Sequence, residues 1–97
     1  MRECIIHGDR ISGWDALYDQ LSEELALPEW FGRNLDALYD CLTDLHDCQI
    51  TIYHWEKLAE RLGQKSSALR QMLSDAGLEN DSLTVCILND DDDPDEI

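Results

Sequence analysis

Three short strand-like runs, each separated from the next by two stretches of helical period, leave this chain few ways to fold. Cys4-Ile5-Ile6 is a brief apolar run stopped by His7-Gly8-Asp9, and its brevity and the glycine after it predict a buried strand rather than a helix. Gln49-Ile50-Thr51-Ile52-Tyr53 alternates polar and apolar side chains and is rich in β-branched residues, which suit a pleated surface. Ser82-Leu83-Thr84-Val85-Cys86-Ile87-Leu88 is apolar enough to predict a third strand covered on both faces. Strands separated by helical crossovers pair most economically in parallel. The order β-α-α-β-α-α-β therefore predicts an α/β domain, a three-stranded parallel sheet packed with about four helices. At 97 residues there is material for one core only.

The helical stretches have their own punctuation. Ser12 with Asp15 reads as a capping box ahead of Trp14, Leu17, Tyr18, Leu21 and Leu25 at helical spacing. Pro28 disfavours helix at Leu27, and Glu29-Trp30-Phe31-Gly32-Arg33 reads as an aromatic loop in which Gly32 permits a tight bend. Asn34 is a good N-cap for a second helix running to about Leu45, with Leu35, Leu38, Tyr39, Leu42 and Leu45 at a 3.6-residue period. Trp55 to Leu62 is a short helix ended by Gly63. Ser66 or Ser67 caps a fourth, with Leu69, Met72, Leu73 and Ala76 inward and Gly77 closing it. No internal repeat is present.

Charge is the second constraint. Seven basic residues face 22 acidic ones, a net charge of −15, and Asp90, Asp91, Asp92, Asp93, Asp95 and Glu96 crowd into a tail over 89–97 too charged to pack. The body is acidic without them, which argues against direct binding of nucleic acid or an anionic membrane, since both require Lys and Arg to displace counterions. Between Asn34 and Glu56 there is no Lys or Arg at all, while Asp36, Asp40 and Asp44 fall with Thr43 on one side of the second helix. Like charges four residues apart cost a helix about 0.2–0.5 kcal/mol per pair, and anions near its carboxyl end oppose the dipole. Asp36 is accounted for by the dipole at the helix start; Asp40 and Asp44 are not. They make either a merely solvated face or a surface for something strongly basic, and the neighbouring Trp30, Phe31 and Tyr39 resemble the composition of an interface.

Catalysis and metal binding find little support. Paired carboxylates serve acid–base chemistry when a cleft drives their pKa values apart and a partner positions them, and the surrounding stretch supplies neither. No Ser/His/Asp order, glycine-rich phosphate loop or calcium-loop pattern occurs. Cys41, His46, Cys48 and His54 lack standard zinc spacing. Cys4, Cys41, Cys48 and Cys86 form no CxxC and sit among apolar neighbours, which predicts buried, reduced thiols. No apolar run is long enough for a membrane span, and the start MRECIIHGDR lacks a secretion-signal pattern, so a cytoplasmic location is expected. The expectation is a protein that is not an enzyme and needs no cofactor or metal.

The stretch Leu25-Ala26-Leu27-Pro28-Glu29-Trp30-Phe31-Gly32-Arg33-Asn34-Leu35-Asp36-Ala37-Leu38-Tyr39-Asp40-Cys41-Leu42-Thr43 closely resembles the barstar family, small intracellular inhibitors of secreted bacterial ribonucleases. The likeness continues more loosely from the CIIHG start to SLTVCIL, so that residues 1–88 would form one barstar-like domain and 89–97 a tail without a family counterpart. The resemblance implies a competitive inhibitor, monomeric when free, that puts its second helix and the preceding loop into the active site of a basic, extracellular-type ribonuclease. By motif position Asp40 would replace an RNA phosphate and Asp36 would pair with a guanidinium at the rim. Thr43 would hydrogen-bond beside them, Trp30, Phe31 and Gly32 would make the loop contact, and a further family acid falls at Asp75. Tyr39 stands where such inhibitors often have Trp, Asp44-Leu45 replaces a Gly-Trp pair, and Arg33 adds a positive charge that either pairs with Asp36 or Glu29 or repels a basic partner. These differences bear on which ribonuclease is bound. The alternative is a barstar-fold module that docks on a different basic protein as a regulator.

Overall fold

The computed structural model describes residues 2–28 and 31–89. Its elements follow the expected order: β1 (Arg2–His7), a 3-10 turn (Gly8–Arg10), α1 (Trp14–Glu24), α2 (Leu35–Thr43), β2 (Cys48–Tyr53), α3 (Trp55–Leu62), a second 3-10 turn (Gly63–Lys65), α4 (Ser66–Glu79) and β3 (Leu83–Ile87). The strands form one sheet in the order β1-β2-β3, both pairings parallel, with Cys4 opposite Ile50 and Ile50 opposite Val85. This is the barstar-like α/β architecture.

Position in the sheet explains strand burial. Central β2 is covered on both sides, with Ile50, Thr51 and Ile52 all buried, whereas β1 alternates, burying Cys4 and Ile6. β3 is an edge strand, and only Leu83 is fully covered; Val85, Cys86 and Ile87 are half-buried, less than its apolar sequence predicts. An apolar run records affinity for a core without fixing how much of it a terminal strand receives.

Around the sheet, Leu17, Leu21 and Leu25 join Leu38 and Leu42 of α2, Leu58 and Leu62 of α3, and Leu69, Leu73 and Ala76 of α4 in one cluster with Ile6, Ile50 and Ile52. Complete burial of a leucine contributes about 1.5–3 kcal/mol, so the inward stripe of each helix is its main hold on the fold. Polar ties fix the outer ends. Trp14 Nε1 donates to the Leu62 carbonyl at 3.0 Å, and Arg61 donates to the carbonyls of Asp9 and Ile11, holding the first 3-10 turn against α3. At Gly8 the carbonyl oxygens of Tyr53 and His54 lie 2.7 and 2.5 Å from where a Cβ would stand, so only glycine lets β1 end there.

Several boundaries differ from the sequence reading, each for a local reason. Gly13 is the N-cap of α1 and no side chain caps it, so Ser12 forms no capping box. Likewise α4 begins at Ser66 directly after a 3-10 turn, without a side-chain cap, and Ser66 is itself buried within the first turn. Gly77 does not close α4, which continues to Glu79 while Gly77 lies 3.7 Å from Val85 at the Cβ position. Helix α2 stops at Thr43 rather than Leu45. Gly63 does end α3, with φ 79° in the region glycine takes freely.

Candidate functional face on the second helix

Helix α2 begins where the sequence places it. The Asn34 Oδ1 accepts from Ala37 N at 2.8 Å while Nδ2 donates back to the Gly32 carbonyl at 3.1 Å, so one side chain satisfies the first turn and braces the loop before it. Leu38, Cys41 and Leu42 point inward, and the 3.6-residue period leaves Asp36, Asp40 and Asp44 exposed on the other side. Thr43 is half-buried, its hydroxyl donating to the Asp40 carbonyl at 3.0 Å, which leaves that oxygen as an acceptor toward solvent.

The far end of α2 depends on a residue the sequence reading missed. Asn80, just past α4, donates its amide to the carbonyls of Leu42 at 2.9 Å and Leu45 at 2.8 Å and accepts from Ser82 N at 3.0 Å. Asn80 thus adds a donor from another element to the Leu42 carbonyl, which also accepts from Leu45 N at 3.3 Å, and to the Leu45 carbonyl just beyond the acid-rich helix end. An Asn after a helix is a legible stop signal, but its reach across the fold is not.

Packing of α4 against α2 brings Asp75 to the same face. A groove of about 520 Å³ between the helices is lined by Leu35, Asp36, Tyr39, Asp40, Gln71, Met72 and Asp75, among others, and Gln71 Nε2 donates to Asp75 Oδ1 at 3.0 Å. A second cleft, of about 180 Å³, lies between α2 and the Ala26–Pro28 turn, and Asp40 and Asp44 border it with Cys41 and Leu45. Asp40 stands between the two. The electrostatics follow from this crowding: the Tyr39 phenol is held above its ordinary pKa by partial desolvation and then by the carboxylates of Glu79, Asp75 and Asp40. Burial and then Asp40 and Asp44 push the Cys41 thiol up in the same way. Glu79 is a further acid of this neighbourhood that the sequence reading did not single out.

The loop is partly as expected. Trp30 and Glu29 lie outside the described residues. Gly32 is exposed, but the left-handed turn is made by Arg33 at φ 51°, not by the glycine. Phe31 is 8% exposed and meets the Tyr18 ring edge-on at 5.8 Å, so its ring anchors the loop in the core and offers a partner little surface. Among the described residues Arg33 does not pair with Asp36, and the alternative pairing with Glu29 lies outside them. Arg33 turns to α1, with Nη1 3.0 Å from Asp19 Oδ1 and Nη2 3.8 Å from Asp15 Oδ1, and its guanidinium lies 5.6 Å from the Tyr18 centroid. Among the described residues no Lys or Arg lies within ion-pairing distance of Asp36, Asp40, Asp44 or Asp75.

Among the described residues no group of three His, Cys, Asp or Glu is arranged to hold a metal ion, so Cys41, His46, Cys48 and His54 are not gathered into a site. The four cysteines are free, three buried and Cys86 half-buried. No helix among the described residues is long and apolar enough to cross a membrane. What the face offers chemically is a set of fixed carboxylates beside an aromatic ring, suited to receiving cationic groups.

The family pattern described as "Barstar (barnase inhibitor)" matches residues 1–88. A Bacillus subtilis (strain 168) protein named "Putative ribonuclease inhibitor YrdF" is 44% identical over 52 residues, a match that takes in 54% of this chain and 57% of that protein. The chain thus spans little more than half the length of this relative. With the family pattern matching from the first strand to the residue after the last, on a parallel β1-β2-β3 sheet, this chain belongs to the barstar family.

Proposed function

We propose that the chain inhibits a basic, extracellular-type bacterial ribonuclease by laying α2 and the loop before it into the active site, where its carboxylates take the place of RNA phosphates. The observation that carries this reading is the row Asp36, Asp40 and Asp44, exposed and unmatched by any described cation, with Asp75 brought alongside by α4. The family match and the name of the relative support a ribonuclease as the partner. A ribonuclease site is organised to hold negative charge on phosphate oxygens. A carboxylate fixed at the same place uses that stabilisation while presenting no ester to cleave, so inhibition follows from occupancy and the chain itself performs no reaction.

Roles follow from placement. Asp40, between the two clefts, enters the phosphate position; Asp36 and Asp75, on either side of the interhelical groove, receive guanidinium groups at its rim; Thr43 accepts beside Asp40. Tyr39 gives the aromatic surface on which such a group rests, Asp44 extends the acidic row, and Trp30 and Gly32 meet the partner from the loop that Phe31 anchors. The chain acts in the cytoplasm of the producing cell, as a monomer until it meets the enzyme.

Stopped-flow and titration against a panel of basic bacterial ribonucleases, beginning with barnase, test the assignment. Asp40→Ala is expected to weaken binding by about 2–5 kcal/mol, a range whose calibration includes the barnase–barstar complex itself. Asp75→Ala is expected to weaken it by less. Equal and negligible losses would remove both roles.

A further inference from the structure

Arg33 is anomalous twice over. Its backbone takes φ 51°, a region that long side chains seldom occupy, and it places a guanidinium three residues ahead of Asp36, the first of the acidic row. Both features become intelligible from where the side chain goes. Nη1 meets Asp19 Oδ1 at 3.0 Å, Nη2 donates to the Asp15 carbonyl at 3.0 Å, and the planar group lies 5.6 Å from the Tyr18 ring centroid. Tyr18 is also the ring against which Phe31 packs. Two residues of one short loop thus grip the same side chain of α1, and the next residue, Asn34, starts α2.

We infer that Arg33 is a positioning residue for the acidic face: its clasp on Asp15, Asp19 and Tyr18 fixes the loop and first turn of α2, and withdraws its own positive charge from Asp36. The clasp is a property of the free protein; its consequence for binding rests on the ribonuclease reading above. Exposed ion pairs contribute little one at a time, and Asp15 and Asp19 are both exposed. Here a carboxylate, a main-chain carbonyl and an aromatic ring act on one planar group, a combination that the point charge of lysine does not reproduce.

The test compares the full chain with Arg33→Ala, Arg33→Lys, the pair Asp15→Asn/Asp19→Asn, and a control pair Glu23→Gln/Glu60→Gln that removes the same charge elsewhere. Hydrogen exchange on the free proteins should show faster exchange at the amides of the loop and the first turn of α2 in the first three and not in the control. Against a ribonuclease, Asp15→Asn/Asp19→Asn, which leaves Arg33 present but without its carboxylate partners, should associate about two- to fivefold more slowly than the control pair. Adding Arg33→Ala to that pair should return association to the control rate while dissociation stays fast. Unchanged exchange in all variants, or Arg33→Ala speeding association with exchange unaltered, would overturn the inference and leave Arg33 a simple repulsive charge. Should the unmodified chain bind no ribonuclease, the functional reading fails, and the exchange measurement alone still decides the clasp.

Discussion

Tyr39 and Cys4 show at the scale of single residues how acidic surroundings and burial act together. The Cys4 thiol is raised far above its ordinary range, first by burial and then by its hydrogen bond to Glu24, at 3.3 Å, and the charges of Glu24 and Cys48. Tyr39, Tyr18 and Cys41 are raised as well, each first by desolvation. All four groups are neutral when protonated, so the folded chain holds these protons more tightly than the unfolded chain. Their contribution is complete below the unfolded values, the lowest being about 8.5 for a thiol, and is lost as pH rises through the folded ones. Urea unfolding midpoints should therefore be level between about pH 7 and 8 and fall steadily above about pH 8.5, less steeply in Cys4→Ala. A midpoint that rose across that window would contradict the assignment. Residue by residue, the sequence exposes Asp36, Asp40 and Asp44 because a helical period fixes their side. It does not reveal that Phe31 turns inward or that Arg33 chooses α1, since both depend on Tyr18, a residue of another helix.

As an element, α2 is a nine-residue helix with acids at both ends and no basic residue in its last turn, an arrangement its own dipole disfavours toward the C-terminus. Asn34 holds one end and Asn80 the other. Because Asn80 makes three hydrogen bonds, each contributing about 0.5–1.5 kcal/mol, Asn80→Ala should lower stability by about 1–3 kcal/mol in urea unfolding. It should also speed amide exchange at 42–46 more than at 35–38. A loss no larger than that of an exposed surface substitution would show that α2 does not depend on this bracket. Local signals account for what was readable here: the Asn34 cap and the Gly63 stop act within one turn, so the sequence displays them. Ser12 and Ser66 offer the same local chemistry and go unused as caps, because Gly13 and a 3-10 turn set the helix starts instead. Asn80 lies 38 residues from Leu42, and nothing local announces that contact.

For the whole molecule, order and parallel pairing were readable from three apolar runs and their spacing, whereas the uneven cover of the sheet was not, because burial depends on which strand lies at the edge. The net charge of −15 belongs to both the body and the tail, and a field of this sign draws a basic partner in from a distance. Residues 1–88 are proposed to carry the binding domain. A chain ending at Asn89 should then keep its dissociation rate from the ribonuclease and lose association rate at low salt, the difference closing as salt rises and the Debye length falls below about 8 Å. Loss of binding at all salt concentrations would instead place contacts in the tail.

Competition tests the central claim most directly. A ribonuclease that the chain inhibits is saturated with a non-hydrolysable oligonucleotide or inorganic phosphate, and binding of the chain is measured as the competitor is raised. Occupancy of the phosphate site by α2 predicts that apparent Kd rises in proportion to competitor and that no ternary complex forms. A complex holding enzyme, oligonucleotide and inhibitor together, with Kd unchanged, would contradict it.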